Sequence, residues 1–297
     1  MIKIGDLNIN KLCVGDSEVS KVYLGDTEVY SSGPAPEPAY SAMPLTFEII
    51  SGGTISWMIN SSSAPAKTIS YSVDNGSTWT NITSSTAGTS FNVNDGDTVM
   101  FKGDNTAYSN RSNLYNSFSG TTAIFSIEGN IMSLIDSTGF TSATTLSVAY
   151  ALNSLFRNCT GLKSAENLVL PATTLTDGCY YMMFTNCRSL TTAPSILPAT
   201  TLTNYSYYQM FSGCASLTTA PELPASTLKT NCYYQMFYSC SSLNYIKCLA
   251  TDISASNCTS NWVSDVAASG IFVKAASMTG WTNGAKGIPW FWTVIDA

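Results

Sequence analysis

The sequence predicts a multidomain chain: mainly β in its N-terminal part, with a short β-repeat element and a β-sandwich, followed by an α/β repeat solenoid. Three observations lead there. Gly-Asp pairs recur at Gly5-Asp6, Gly15-Asp16 and Gly25-Asp26 between short β-rich runs. From about Met43 to Asp136, apolar and polar residues alternate in short runs separated by turn residues. From Leu155 onward, a Met-Phe-x-x-Cys-x-x-Leu type block returns after 28, 27 and 26 residues, a period that signals stacked repeats.

Composition narrows the function before any motif does. The 297 residues are 44% hydrophobic, enough to bury cores, but only 11% are charged, about half the usual share. Ser, Thr and Asn fill the surface instead, as suits a protein that faces glycans. The net charge is −6 with no Lys/Arg cluster, so no nucleic-acid partner is expected. No histidine is present, which removes the commonest general base and transition-metal ligand. No run is long and apolar enough for a membrane span, and the first residues lack the apolar stretch of an export signal. A chain made in the cytoplasm, or one whose signal was trimmed, fits this. Nine cysteines cannot all pair within one chain.

Residues 1–30 read as a docking or oligomerisation element, because three ten-residue hairpins bury too little surface alone; a small β-meander leaning on the next domain is the alternative. Residues 31–42, with Pro34, Pro36 and Pro38, read as a semi-rigid spacer. Residues 43–140 read as a β-sandwich of immunoglobulin-like size. Three hairpins are expected in it: Ile69–Val73 with Trp79–Ile82 around Asn75-Gly76, Phe91–Val93 with Val99–Lys102 around Asp95-Gly96, and Ala123–Ile127 with Ile131–Leu134 around Gly129-Asn130. Ser72-Val73-Asp74-Asn75-Gly76-Ser77-Thr78-Trp79 resembles an Asp-box, in which the aspartate ties down its own turn. Asn94-Asp95-Gly96-Asp97 lacks the spacing and closing glutamate of a calcium loop.

The C-terminal half carries the most specific pattern. Pro171-Ala-Thr-Thr-Leu175, Pro198-Ala-Thr-Thr-Leu202 and Pro224-Ala-Ser-Thr-Leu228 keep step with the Met-Phe blocks, each leucine eight residues before the next Met-Phe. Only the gap from the Cys-x-x-Leu leucine to the proline changes, through 9, 8 and 7 residues, and Leu249 continues it at 6. One loop therefore varies while the packed frame does not. Tyr180-Met183-Phe184-Cys187, Tyr207-Met210-Phe211-Cys214 and Tyr233-Met236-Phe237-Cys240 fall at i, i+3, i+4 and i+7, which predicts one face of a short helix per repeat. A short extended segment follows each, stopped by Pro194 and Pro221.

Phe-x-x-Cys-x-x-Leu-x-x-Ala-Pro, at Phe184–Pro194 and Phe211–Pro221, resembles the repeat of BspA-like leucine-rich-repeat surface proteins of gut and oral bacteria. The resemblance covers about half the chain and implies leucine-rich repeats over 141–270 and a C-terminal cap over 271–297. Lys21–Tyr30 is also similar to the opening of virion proteins from phages of Bacteroides-type hosts. Together these imply a phage fibre or decoration protein located in the virion. Residues 1–30 would meet other virion proteins, and the array would meet a host-surface glycan or protein. A homo-oligomer, trimeric as in phage fibres, is implied too. A cell-surface adhesin is the alternative, and an enzyme's carbohydrate-binding appendage is a third class.

No catalytic set is evident, and neither an enzyme nor a cofactor is expected. Glu166, Asp177, Glu222 and Asp252 fall in different registers of the repeats, whereas glycoside hydrolysis wants two facing carboxylates. Cys159, Cys187, Cys214 and Cys240 share one register and read as core thiols, with no metal-ligand spacing. Pairing among Cys179, Cys232, Cys248 and Cys258 stays open. Candidate ligand contacts are a second tyrosine column, Tyr181, Tyr208 and Tyr234, which either stacks on sugars or shields the groove between coils, and the terminal Trp290 and Trp292, which serve as contact patch or cap.

Overall fold

The computed structural model describes residues 40–297 and, within residues 1–39, the backbone of six strands: β1 (Ile2–Ile4), β2 (Leu7–Ile9), β3 (Cys13–Val14), β4 (Ser17–Glu18), β5 (Lys21–Leu24) and β6 (Thr27–Ser31). They pair antiparallel as β1–β2, β3–β4 and β5–β6, one hairpin per ten-residue repeat. The Gly-Asp turns and most of the 31–42 spacer lie outside the described residues. The chain divides into Met1–Ala39 and Tyr40–Ala297, and the second unit contains everything below.

That unit begins with two packed sheets. Their strands are β7 (Leu45–Ser51), β8 (Gly53–Ile59), β9 (Thr68–Ser72), β10 (Thr80–Thr83), β11 (Thr89–Val93), β12 (Thr98–Lys102), β13 (Ser109–Arg111), β14 (Leu114–Ser117), β15 (Ile124–Asn130) and β16 (Leu162–Val169). One sheet runs β10-β9-β12-β7-β15-β16, the other β11-β8-β14-β13. Period-two alternation sends Leu45, Phe47 and Ile49 of β7 inward. Phe47 meets Phe101, Phe118 and Phe125 at centroid distances of 4.7, 4.9 and 4.6 Å. Of the three expected hairpins, only β9–β10 forms. The Asp74 carboxylate accepts from the Thr78 amide at 2.9 Å and the Thr78 hydroxyl at 2.7 Å, so the Asp-box aspartate does fix its own turn. These bonds hold the exposed Asp74 carboxyl down at about 2. β11 and β12 instead belong to different sheets, and β15 runs into a 3-10 turn (Ile131–Leu134) in place of a return strand.

The expected α/β solenoid is overturned. The described residues contain strands, turns and two short 3-10 segments, and no α-helix. The segments expected to be helical are trains of tight turns, because one residue in four is left-handed. The positive φ values fall at Tyr150, Ser154 and Asn158, then at Gly178, Met182 and Asn186, at Tyr205, Gln209 and Gly213, at Asn231, Gln235 and Ser239, and at Asn257, Asn261 and Asp265. A left-handed residue ends any right-handed helix. Within these segments some amides reach back three residues, as in Arg157 N–H to Ser154 O and Thr185 N–H to Met182 O.

The remaining amides bond from coil to coil. Phe156 N–H donates to Met183 O at 2.9 Å, Phe184 N–H to Met210 O at 2.8 Å, Phe211 N–H to Met236 O at 3.0 Å and Phe237 N–H to Trp262 O at 2.8 Å. Parallel columns start at Tyr150, Leu152, Ser154 and Asn158. Every bond in the five columns points the same way, from the donor of one coil to the carbonyl of the next. The peptide dipoles therefore add along the stack as they do along a helix. The first coil's carbonyls are met by the sandwich: Tyr108 N–H donates to Ala151 O at 2.7 Å and Phe118 N–H to Leu155 O at 2.8 Å.

Inside the coils the same positions stack turn after turn. Phe118, Phe156, Phe184, Phe211 and Phe237 form one row of near-parallel rings, 5.3 to 5.8 Å apart. Leu162, Leu190, Leu217 and Leu243 are fully buried beside them. Cys159, Cys187, Cys214 and Cys240 are buried free thiols, and they do more than fill space. Each Sγ donates to the phenylalanine carbonyl of the preceding layer, for example Cys187 to Phe156 O at 3.0 Å and Cys214 to Phe184 O at 3.1 Å. Burial pushes the Cys240 thiol up to about 12, so it stays a neutral donor. The outer sheet also continues without a break. Parallel bridges Ser164–Thr192, Thr192–Thr219 and Thr219–Tyr245 lead from β16 to β17 (Tyr245–Cys248), β18 (Ile271–Lys274) and β19 (Thr293–Asp296). The sandwich and the coils thus share one sheet and one core.

Candidate binding surface

Two outer features of the coil stack can meet a ligand. The first is the tyrosine column. Tyr181, Tyr208 and Tyr234 are half-buried, each one residue before a left-handed position and so turned away from the core. Their rings stack face to face, Tyr181 on Tyr208 at 4.5 Å and 2°, Tyr208 on Tyr234 at 4.7 Å and 5°. Tyr150 closes one end edge-on at 5.9 Å. Burial, with Tyr208 next to it, raises the Tyr181 hydroxyl above the ordinary phenol range. The column therefore offers edges and hydroxyls. Most of its ring faces are spent on neighbouring tyrosines and are unavailable to a sugar ring.

At the C-terminal end the two tryptophans part company. Trp292 is buried, and its indole N–H donates to Ala267 O at 2.8 Å, which makes it part of the end closure. Trp281 stacks on Trp262 at 5.5 Å, and Trp262 stacks in turn on the buried Tyr233 at 6.1 Å. Trp290 and Phe291 point outward, at 61% and 89% exposure, and Phe291 is held at a φ of 67°. Trp290 precedes β19 and does not share a strand face with Trp292.

The second feature is a groove of about 340 Å³ on the outer sheet. It lies where the Leu-to-Pro gap changes length. Pro194 cannot donate to the ladder, so the strand that is eight residues long in β16 shrinks to single bridges at Thr192 and Thr219. Glu166, Glu222, Tyr245 and Lys247 line the space this opens. Lys247 Nζ sits 3.1 Å from Glu222 Oε1, and Thr192 Oγ1 is 2.9 Å from Ser164 Oγ. Glu166 and Glu222 looked scattered because they stand in different repeats, two coils apart. Stacking brings them to one groove. The signal in the sequence was the single variable gap, since length changes in repeat arrays collect on one face, often the binding face.

The off-register cysteines are free as well. Cys179 Sγ donates to Thr176 O at 2.7 Å and Ser206 Oγ donates to Thr203 O at 2.6 Å; Cys179 and Ser206 are thus interchangeable caps of the same turn. Among the described residues no cluster of Cys, Asp or Glu is placed to hold a metal, and no helix is long and apolar enough to cross a membrane. The chain matches no family model, no curated protein and no solved structure.

Proposed function

We propose that this chain is a non-enzymatic virion structural protein, a fibre or decoration, whose N-terminal hairpins attach it to the particle and whose coil stack contacts the host surface. The observation that carries the reading is where the reactive groups go. The eight described thiols are buried, as are the Tyr180, Tyr207 and Tyr233 side chains, which leaves threonine, serine, asparagine and tyrosine edges on the outside. A repeat array with a sparsely charged, hydroxyl-rich exterior is suited to presenting a surface rather than activating a substrate. The Lys21–Tyr30 resemblance and the separate compact unit Met1–Ala39 support attachment through the N-terminus.

The test deletes residues 1–30. Particle incorporation should be lost while the purified protein keeps its binding to bacterial cells. Normal incorporation of the truncated chain would overturn the attachment role, and failure of the intact chain to bind any cell envelope would overturn the presentation role.

A further inference from the structure

We infer that the groove between Pro194 and Tyr245 is a binding site for a neutral saccharide. The inference rests on the reading that the coil stack is a contact surface and assigns the contact to one place on it.

The groove has the chemistry that hydroxyl-rich rings require. Glu166 supplies a carboxylate that accepts hydrogen bonds from neighbouring sugar hydroxyls, and Thr192 and Thr219 supply hydroxyls that donate or accept. Lys247 and Glu222 form an ion pair with roughly a third of each side chain exposed, so both retain hydrogen-bonding capacity at the groove wall. Tyr245 is half-buried at one end. Unlike Tyr181, Tyr208 and Tyr234, it has no other described ring stacked on it, so its face can cover the apolar side of a sugar ring. A volume of about 340 Å³ is at the small end of ligand sites, enough for one or two sugar rings.

Charge selects among sugars. Two carboxylates against one ammonium leave the groove with a single net negative charge, in a chain that is itself net negative. Sulfated, phosphorylated and sialylated glycans would be repelled. Hydrolysis is disfavoured by the same arrangement. A glycosidase needs one carboxyl kept protonated in a dry pocket, whereas Glu222 is ion-paired in an open groove.

Titrating the full chain with neutral trisaccharides of glucose, galactose and mannose, and with their sulfated forms, tests the assignment by calorimetry and amide NMR. A neutral trisaccharide should bind saturably, with shifts centred on residues 192–194, 219–222 and 245–247. Tyr245→Ala and Glu166→Gln should each weaken it at least ten-fold, and Thr86→Ala, on the exposed surface of the sandwich, should leave it unchanged. Equal binding by all variants, preference for the sulfated forms, or release of cleaved sugar would overturn the inference. If the intact chain and both groove variants adhere equally to bacterial cells, the groove assignment falls and the contact-surface reading stands. If the intact chain binds neither cells nor sugars, both fall.

Discussion

The sandwich and the coil stack bury the same kind of core by different backbone means. In the sandwich, extended strands pair in antiparallel registers, and its polar details are individual: Ser133 Oγ to Phe101 O, Asn116 Nδ2 to Tyr108 O, Trp57 Nε1 to Lys67 O. In the coils, tight turns alternate with inter-coil bonds, and every detail repeats, down to the thiol that caps the phenylalanine carbonyl. The coil backbone also carries strain that the sandwich lacks. Among positive-φ residues other than glycine, the sandwich strands and loops have Asn75, while each of the five turn segments has two or three. Left-handed backbone costs roughly 1–2 kcal/mol per non-glycine residue, so the turns hold only because the stacked coils satisfy their amides. A coil alone would not keep this shape, whereas a strand pair in the sandwich needs no such backbone.

That contrast can be broken at three points. The largest effect is expected at Phe211, fully buried between Phe184 and Phe237. Phe211→Ala should cost about 3–5 kcal/mol. In hydrogen exchange, protection should fall first in residues 205–263 and only later in 45–130, because each coil leans mainly on its neighbours. Simultaneous loss in both regions would mean that the shared sheet makes them one cooperative unit.

A smaller loss, about 1–2 kcal/mol beyond side-chain contacts, is expected for Gln209→Val, which forces a β-branched residue to a φ of 51°. Gln209→Gly should recover most of it in denaturant unfolding. If valine and glycine behave alike, the turn segments do not depend on left-handed backbone.

The smallest effect is expected at Tyr207. Its hydroxyl is buried with no protein hydrogen-bond partner among the described residues, and an unsatisfied buried hydroxyl is a penalty of about 1–3 kcal/mol unless water reaches it. Tyr207→Phe should be neutral or stabilising in thermal unfolding. A clear loss would show that the hydroxyl is in use.

Much of the coil frame was readable from the residues. The positions repeating at 28, 27 and 26 residues are the ones that stack, and the four on-register cysteines point inward as read. The helical expectation for these segments fails for a specific reason. Cys179-Tyr180, Met183-Phe184 and Cys187 recur every 4.0 residues, not 3.6. Over nine residues the two periods drift apart by less than the width of a helix face, so spacing alone could not separate them. Asparagine or glycine at the last left-handed position of three segments, Asn158, Asn186 and Gly213, was the available hint, since these residues tolerate left-handed backbone. A fifth turn segment, Asn257–Asp265, lacks the repeat signature because Trp262-Val263 stands in place of Met-Phe. The second and third expected hairpins failed because a Gly-containing turn fixes a change of direction but not the strand that follows as partner.

The sequence by itself determined which side chains lie inside each coil, because burial depends on apolar character and its repetition. It also determined the one place where coil length varies, and the turn that Asp74 ties. Only the tertiary structure decided that those coils are turns rather than helices and that Glu166, Glu222 and Tyr245 share a groove. It also decided that the tyrosine faces are consumed by one another. Each of these depends on what lies one or more coils away, about 26 residues distant in the chain per coil, and a hydrogen bond or stacked ring across that gap leaves no mark on local residue preferences.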